Sequence, residues 1–329
     1  MTFERAAEAD PPSPRPVRRA VVFGLAVGIP ASLVFLWLAF RNANVDAVWT
    51  AARGADVLLV ALAILAVGAV YVFQAARWQR IARTDRPSTL GYLELVVGAV
   101  ACNNVLPGRL GELFRARWLA VAATVPSGRA LATVGLDRGS DVVALFVFLL
   151  VSLPFVASEE WIREIAIGGA LLVLLLIVLF AGARGYARIR HRDRRERGRL
   201  RRIIRDVVDT LAEPLGRRLV AEALALSALA WGAFAVAVWL VARSLGIELG
   251  LVDCVFVTAV LNLGVAIPSS PGFVGTYQWL AVAALGVFDV VREDALAFSF
   301  LLQASWYVPT TIVGGLLVLF RVDWGFGRG

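Results

Sequence analysis

Apolar residues in this chain fall into runs close to the length of a membrane span, at about 20–40, 56–76, 90–106, 112–125, 130–157, 163–182, 218–244, 252–268, 273–290 and 294–320. At 1.5 Å of rise per residue, roughly 20 such residues in a helix cross the hydrocarbon of a bilayer. Lipid offers no hydrogen-bond partners, so each run has to satisfy its own backbone. Hydrophobic residues make up 59% of the chain and charged ones 18%, which points to an all-α polytopic membrane protein. The first run follows Arg18-Arg19 and is long for a signal h-region, so it is expected to stay as a helix behind a disordered cytoplasmic tail at 1–19.

The net charge of +8 is carried entirely by arginine, since the chain has no lysine. Four arginines lie between Arg77 and Arg86, and thirteen between Arg184 and Arg218 against five acidic residues. Both intervals are expected on the cytoplasmic side, the second as a basic loop at 184–218. Ser158 to Glu164, with three glutamates and one arginine, reads as external. This basic bias serves topology, and the arginine run lacks the interleaved aromatics of a nucleic-acid reader, so no nucleic-acid partner is expected. Cys102 and Cys254 lie in apolar segments and His191 in a charged loop, so no metal site assembles from them. No P-loop, dinucleotide fingerprint, nucleophile elbow or zinc spacing is present, and no cofactor is expected.

Two of the apolar stretches are interrupted by the same frame, Pro107-Gly108-Arg109-Leu110-Gly111 and Pro271-Gly272-Phe273-Val274-Gly275, 164 residues apart in a chain of 329. If 90–106 crossed the membrane alone, the thirteen-arginine interval would be exported. An even number of crossings is therefore required, and 90–125 reads as a re-entrant hairpin. The same reasoning makes 252–290 a second hairpin, turning at Ile267 to Gly272. The single membrane domain at 20–321 then divides into two halves, about 20–157 and 163–321. Each half has about three transmembrane helices or half-helices plus one hairpin, and the second is inserted upside down. The two tips would meet near the midplane, with both termini cytoplasmic.

The first tip is charged. Proline and glycine let the chain turn at Pro107, Gly108 and Gly111, Glu112 opens a new helix, and Arg109 lies beside its electropositive start, a ready site for a phosphate or carboxylate. A bland alternative pairs Arg109 with Glu112 and makes Arg115 and Arg117 juxtamembrane anchors. Asn103 and Asn104 either hold a polar passenger or satisfy broken backbone. Asp137, Arg138 and Asp141 lie well inside the next helix, as a self-neutralised triad or as part of a headgroup site. The second tip is neutral: Asn262, Ser269, Ser270, Thr276, Tyr277 and Gln278 shape a cavity wall, with turns at Pro268, Pro271, Gly272 and Gly275. Gln303, Ser305, Trp306 and Tyr307 either complete that wall or, for the aromatics, anchor at the interface.

Together Asn103/Asn104, Pro107, Arg109, Gly111, Glu112 and Arg115, followed by Asp137-Arg138 with Asp141 and by Pro271, Gly272 and Gly275, resemble the signatures of the membrane, flippase-like region of lysylphosphatidylglycerol synthases. The resemblance implies movement of anionic or aminoacylated phospholipids, or of lipid-linked sugars, between leaflets of the plasma membrane. It also implies a headgroup site at Asn103, Asn104, Arg109, Glu112, Arg115, Asp137, Arg138 and Asp141. Two departures stand out. Gln278 replaces a glutamate frequent in that family, and the chain ends at Gly329 without the soluble transferase domain, so synthesis of the lipid is not expected. Competing functions are a membrane-embedded transferase using Glu112 or Asp141 as base, and a non-catalytic partner of a cell-envelope lipid or glycan enzyme.

Overall fold

The computed structural model describes residues 33–106, 109–156, 199–213, 215–265 and 271–320, with residue 30 and a few single positions between 167 and 182. The expected tail at 1–19, the acidic interval 158–164, and Pro107, Gly108, Pro268, Ser269 and Ser270 lie outside the described residues. The described chain is helical, with no strand. Its α-helices are α1 (Val45–Arg53), α2 (Val57–Ala82), α3 (Thr89–Val105), α4 (Leu110–Ala122), α5 (Ser127–Ser152), α6 (Arg199–Ala212), α7 (Arg217–Ser244), α8 (Leu251–Gly264), α9 (Thr276–Gly286) and α10 (Arg292–Phe320).

Polar residues set where several of these begin. Asn44 Oδ1 accepts the amides of Asp46 and Ala47, and Asp56 Oδ1 accepts those of Leu58 and Leu59, so α1 and α2 start on capped ends. The helices α2, α5 with its 3-10 extension to Phe155, α7 and α10 are long and apolar enough to cross a membrane, at 26 to 29 residues each. By contrast α3 and α8 are shorter apolar helices of 17 and 14 residues, and each is followed by a still shorter one, α4 with 13 and α9 with 11. Within the basic interval, Arg199–Ala212 is a helix, α6, packed on the start of α5, where Ile203 and Asp206 lie against Gly128.

Packing follows small residues. The long helices α2 and α7 lie against each other along their lengths, and α10 lies on α3. At that crossing a Cβ on Gly314 would fall 2.5 Å from the Val97 carbonyl oxygen, so Gly314→Val is expected to lower stability by about 1–3 kcal/mol by forcing the helices apart. A thermal melt of the purified variant in detergent checks this; a wild-type midpoint would contradict it. One buried cluster joins α2, α5, α7, α8, α9 and α10, and a second, built on Trp78, Tyr92, Trp118 and Leu119, joins α2 to α5. Outward-facing residues such as Leu58, Leu65, Leu150 and Phe320 remain more than 45% exposed. So much apolar surface is untenable in water and natural in lipid.

Candidate functional site

Charge inside the molecule is concentrated at one junction. Arg77 of α2 is fully buried, and its Nε donates to Asp137 Oδ1 at 2.7 Å while Nη1 donates to Asp141 Oδ1 and to Ser227 Oγ of α7. Arg115 of α4 reaches Asp137 Oδ2 at 2.9 Å and Glu112 Oε2 at 3.3 Å, with its guanidinium 4.3 Å from the Trp78 ring centroid. Arg138 lies 3.1 Å from Asp137 Oδ2, 3.2 Å from Asp141 Oδ2 and 3.8 Å from Glu112 Oε1. Trp231 Nε1 donates to Asp141 Oδ1 at 3.0 Å. Three arginines thus meet three carboxylates, and the group as a whole is neutral. Buried ions without such partners would be several kcal/mol worse each.

A cavity of about 960 Å³ opens beside this junction. Its polar lining includes Asn103, Asn104, Arg109, Glu112, Arg138 and Asp141, with apolar walls such as Val67, Leu145 and Phe234. Of the eight residues expected at a headgroup site these six face the cavity. Arg115 and Asp137 do not; both are buried behind it, because their charges are spent on each other, on Arg77 and on Glu112. The anchor reading of Arg115 is therefore replaced by a packed ion pair, whereas Arg117 is exposed. Arg138 does reach Asp141 at i+3, but as two members of a larger network spread over α2, α4, α5 and α7.

Arg109 stands apart from that network. It makes no ion pair with Glu112; its Nη2 donates to the Val265 carbonyl at the end of α8 at 2.6 Å, and its guanidinium lies 5.6 Å from the Phe273 ring centroid. The first interrupted frame thus touches the second. Its backbone differs from expectation as well, because Arg109 takes the left-handed conformation at φ 54° and Gly111 is already helical. Gly111 is needed instead for closeness: its amide donates to Asn103 Oδ1 at 2.7 Å, and any Cβ would run into the Ala99 carbonyl oxygen. Asn104 Nδ2 bonds Thr310 and Thr311 on α10, while Tyr307 donates its hydroxyl to the Asn104 carbonyl.

In the second frame Pro271–Phe273 form a single 3-10 turn, and Gly272 and Gly275 both have positive φ, 72° and 88°. Gln278 Oε1 accepts the Gly275 amide, its Nε2 donates to Gln303 Oε1, and Gln303 Nε2 donates to the Gly272 carbonyl. This relay pins the turn. It also turns Gln278 away from the cavity; Thr276 is likewise fully buried, so of the described residues of the second tip expected on the wall Asn262 and Tyr277 line it. Trp306 joins the lining as well, packed against Phe273, Tyr277 and Tyr307.

Fold and site together define an integral membrane protein with an internal, partly charged chamber between two interrupted helix pairs. A family model described as the lysylphosphatidylglycerol synthase TM region matches residues 21–314, and the chain belongs to that family. It is also similar to a UPF0104 membrane protein of Methanocaldococcus jannaschii, with 21% identity over 218 residues, 65% of this chain and 92% of that one.

Proposed function

We propose that the protein moves a phospholipid or lipid-linked sugar between leaflets, the headgroup passing through the chamber while the acyl chains stay in lipid. The observation that carries this reading is the chamber itself: about 960 Å³, apolar over much of its wall, with Arg109, Glu112, Arg138 and Asp141 in its lining. A headgroup needs polar partners at membrane depth and its tails need none. In this reading α3–α4 and α8–α9 are re-entrant hairpins of an inverted repeat, entering from opposite faces with the arginine-rich intervals cytoplasmic. The hydrogen bond from Arg109 to Val265 is where their tips meet.

Proteoliposomes carrying a fluorescent phospholipid or polyprenyl-linked lipid test this. Inner-leaflet label is expected to become accessible to an external quencher, and Arg109→Ala is expected to slow that exchange at least tenfold. Label that stays protected as in protein-free vesicles, for every lipid tried, would end the reading.

A further inference from the structure

We infer that the ligand of the chamber is a lipid carrying one phosphodiester, net charge −1, with the rest of its headgroup uncharged. This rests on the transport reading for its setting and on a charge count for its content. Arg77, Arg115 and Arg138 are matched one for one by Glu112, Asp137 and Asp141, every member lying within 4 Å of an opposite charge. Among the described residues that line the chamber, Arg109 is the cation left over. Among the described residues no carboxylate lies within 4 Å of it, and its protein partners are a backbone carbonyl and a ring face, which orient a guanidinium without neutralising it. The neighbouring sequence outside the described residues, 107–108 and 266–270, contains no acid.

An uncompensated cation at membrane depth calls for one anion, and a guanidinium suits a phosphodiester because two of its N–H groups can face two phosphate oxygens. Only Nη2 is engaged, so further donors remain for such a ligand. A second negative charge, as in a diphosphate, would find Arg138, the other arginine of the described lining, already paired. An added ammonium, as on an aminoacylated or choline headgroup, would find both carboxylates of the described lining, Glu112 and Asp141, already in ion pairs with Arg115 and Arg138. The remaining polar lining, Asn103, Asn104, Asn262 and Gln74, offers neutral partners suited to hydroxyl groups.

The test uses the full chain in detergent, read by the fluorescence of the chamber tryptophans Trp231, Trp279 and Trp306. The probes are dihexanoyl-phosphatidylglycerol, dihexanoyl-phosphatidylcholine and short-chain lysyl-phosphatidylglycerol. Phosphatidylglycerol is expected to bind at least tenfold more tightly than either of the others, Arg109→Gln to remove that preference, and Arg109→Lys to keep most of it. Equal affinity for the three, or an unchanged preference in a folded Arg109→Gln protein, would overturn the inference. A parallel leaflet-exchange assay with phosphatidylglycerol, lysyl-phosphatidylglycerol and a polyprenyl-diphosphate sugar separates the two claims. Faster exchange of either of the last two refutes the charge assignment and leaves transport standing. Selective binding with no exchange of any lipid refutes transport and leaves the site's charge preference standing.

Discussion

Replacing Arg77 by methionine is expected to destabilise the protein by about 3–5 kcal/mol, the usual result of removing one partner from a buried ion cluster. Arg77 and Asp137 are both wholly buried and Asp141 nearly so, and Arg77 alone bridges the two carboxylates to Ser227 on α7. Without it, two arginines face three carboxylates, and Asp137 Oδ1 loses its hydrogen bond in a place water does not reach. Arg77→Lys is expected to recover little, because a single ammonium cannot span Asp137, Asp141 and Ser227 as the planar guanidinium does. Arg77→Met with Asp137→Asn restores equal numbers of charges and is expected to regain part of the loss. Thermal melts of the detergent-purified variants decide the matter. A methionine variant melting with wild type, or a double variant less stable than the single one, would show that the cluster does not hold these helices together.

Arg77 also marks where sequence reasoning stops. Arginines at 77, 80, 83 and 86 look like one juxtamembrane cluster, and a positive-inside argument treats them alike. The buried face of α2 runs through positions 63, 67, 70, 74, 77 and 81, in alternating steps of four and three. Arg77 falls on that face; Arg80 and Arg83 do not, and they meet Glu222 and Glu213 near the surface. The periodicity was present in the sequence, but the excess of arginine nearby masked it.

Arg109, Glu112, Arg138 and Asp141 were legible because each is a charge inside an apolar interval, which is costly enough to need a reason. What the residues alone could not reveal was who pairs with whom. Ser227 and Trp231 lie one turn apart on α7 and look like ordinary residues of a long apolar helix until Arg77 and Asp141 are brought against them. The long helices were likewise plain from length and composition. The division of labour within the first frame was not, since proline and glycine signal a turn without saying which residue takes the left-handed conformation. Arg109 takes it, so that its side chain extends to α8 while Gly111 stays in the helix.

Placing a side chain on Gly111 is expected to disturb the fold more than the change at Gly314, because its Cβ would lie closer to a carbonyl oxygen than one on Gly314 would. The Cβ of an alanine there would run into the Ala99 carbonyl oxygen and come within 2.6 Å of Asn103 Oδ1, and neither is the free end of a flexible chain. The first belongs to the backbone of α3, and the second is held by the Gly111 amide itself. Relief requires α3 and α4 to separate, which breaks that bond and shifts Arg109 and Glu112 relative to the chamber. Overpacking of this kind costs about 1–3 kcal/mol, and a clash against backbone belongs at the top of that range. Gly111→Val adds two methyl groups to the same collision and is expected to be worse. Gly232, in the middle of α7, is the control, because nothing lies within 4 Å of where its Cβ would be. There the same change to alanine is expected to stabilise by about 1 kcal/mol through helix propensity alone. Thermal melts of the two alanine variants should therefore move in opposite directions from wild type, and lipid exchange should fall only in Gly111→Ala. If both variants melt alike, the close approach of α3 and α4 does not set the shape of the charged tip.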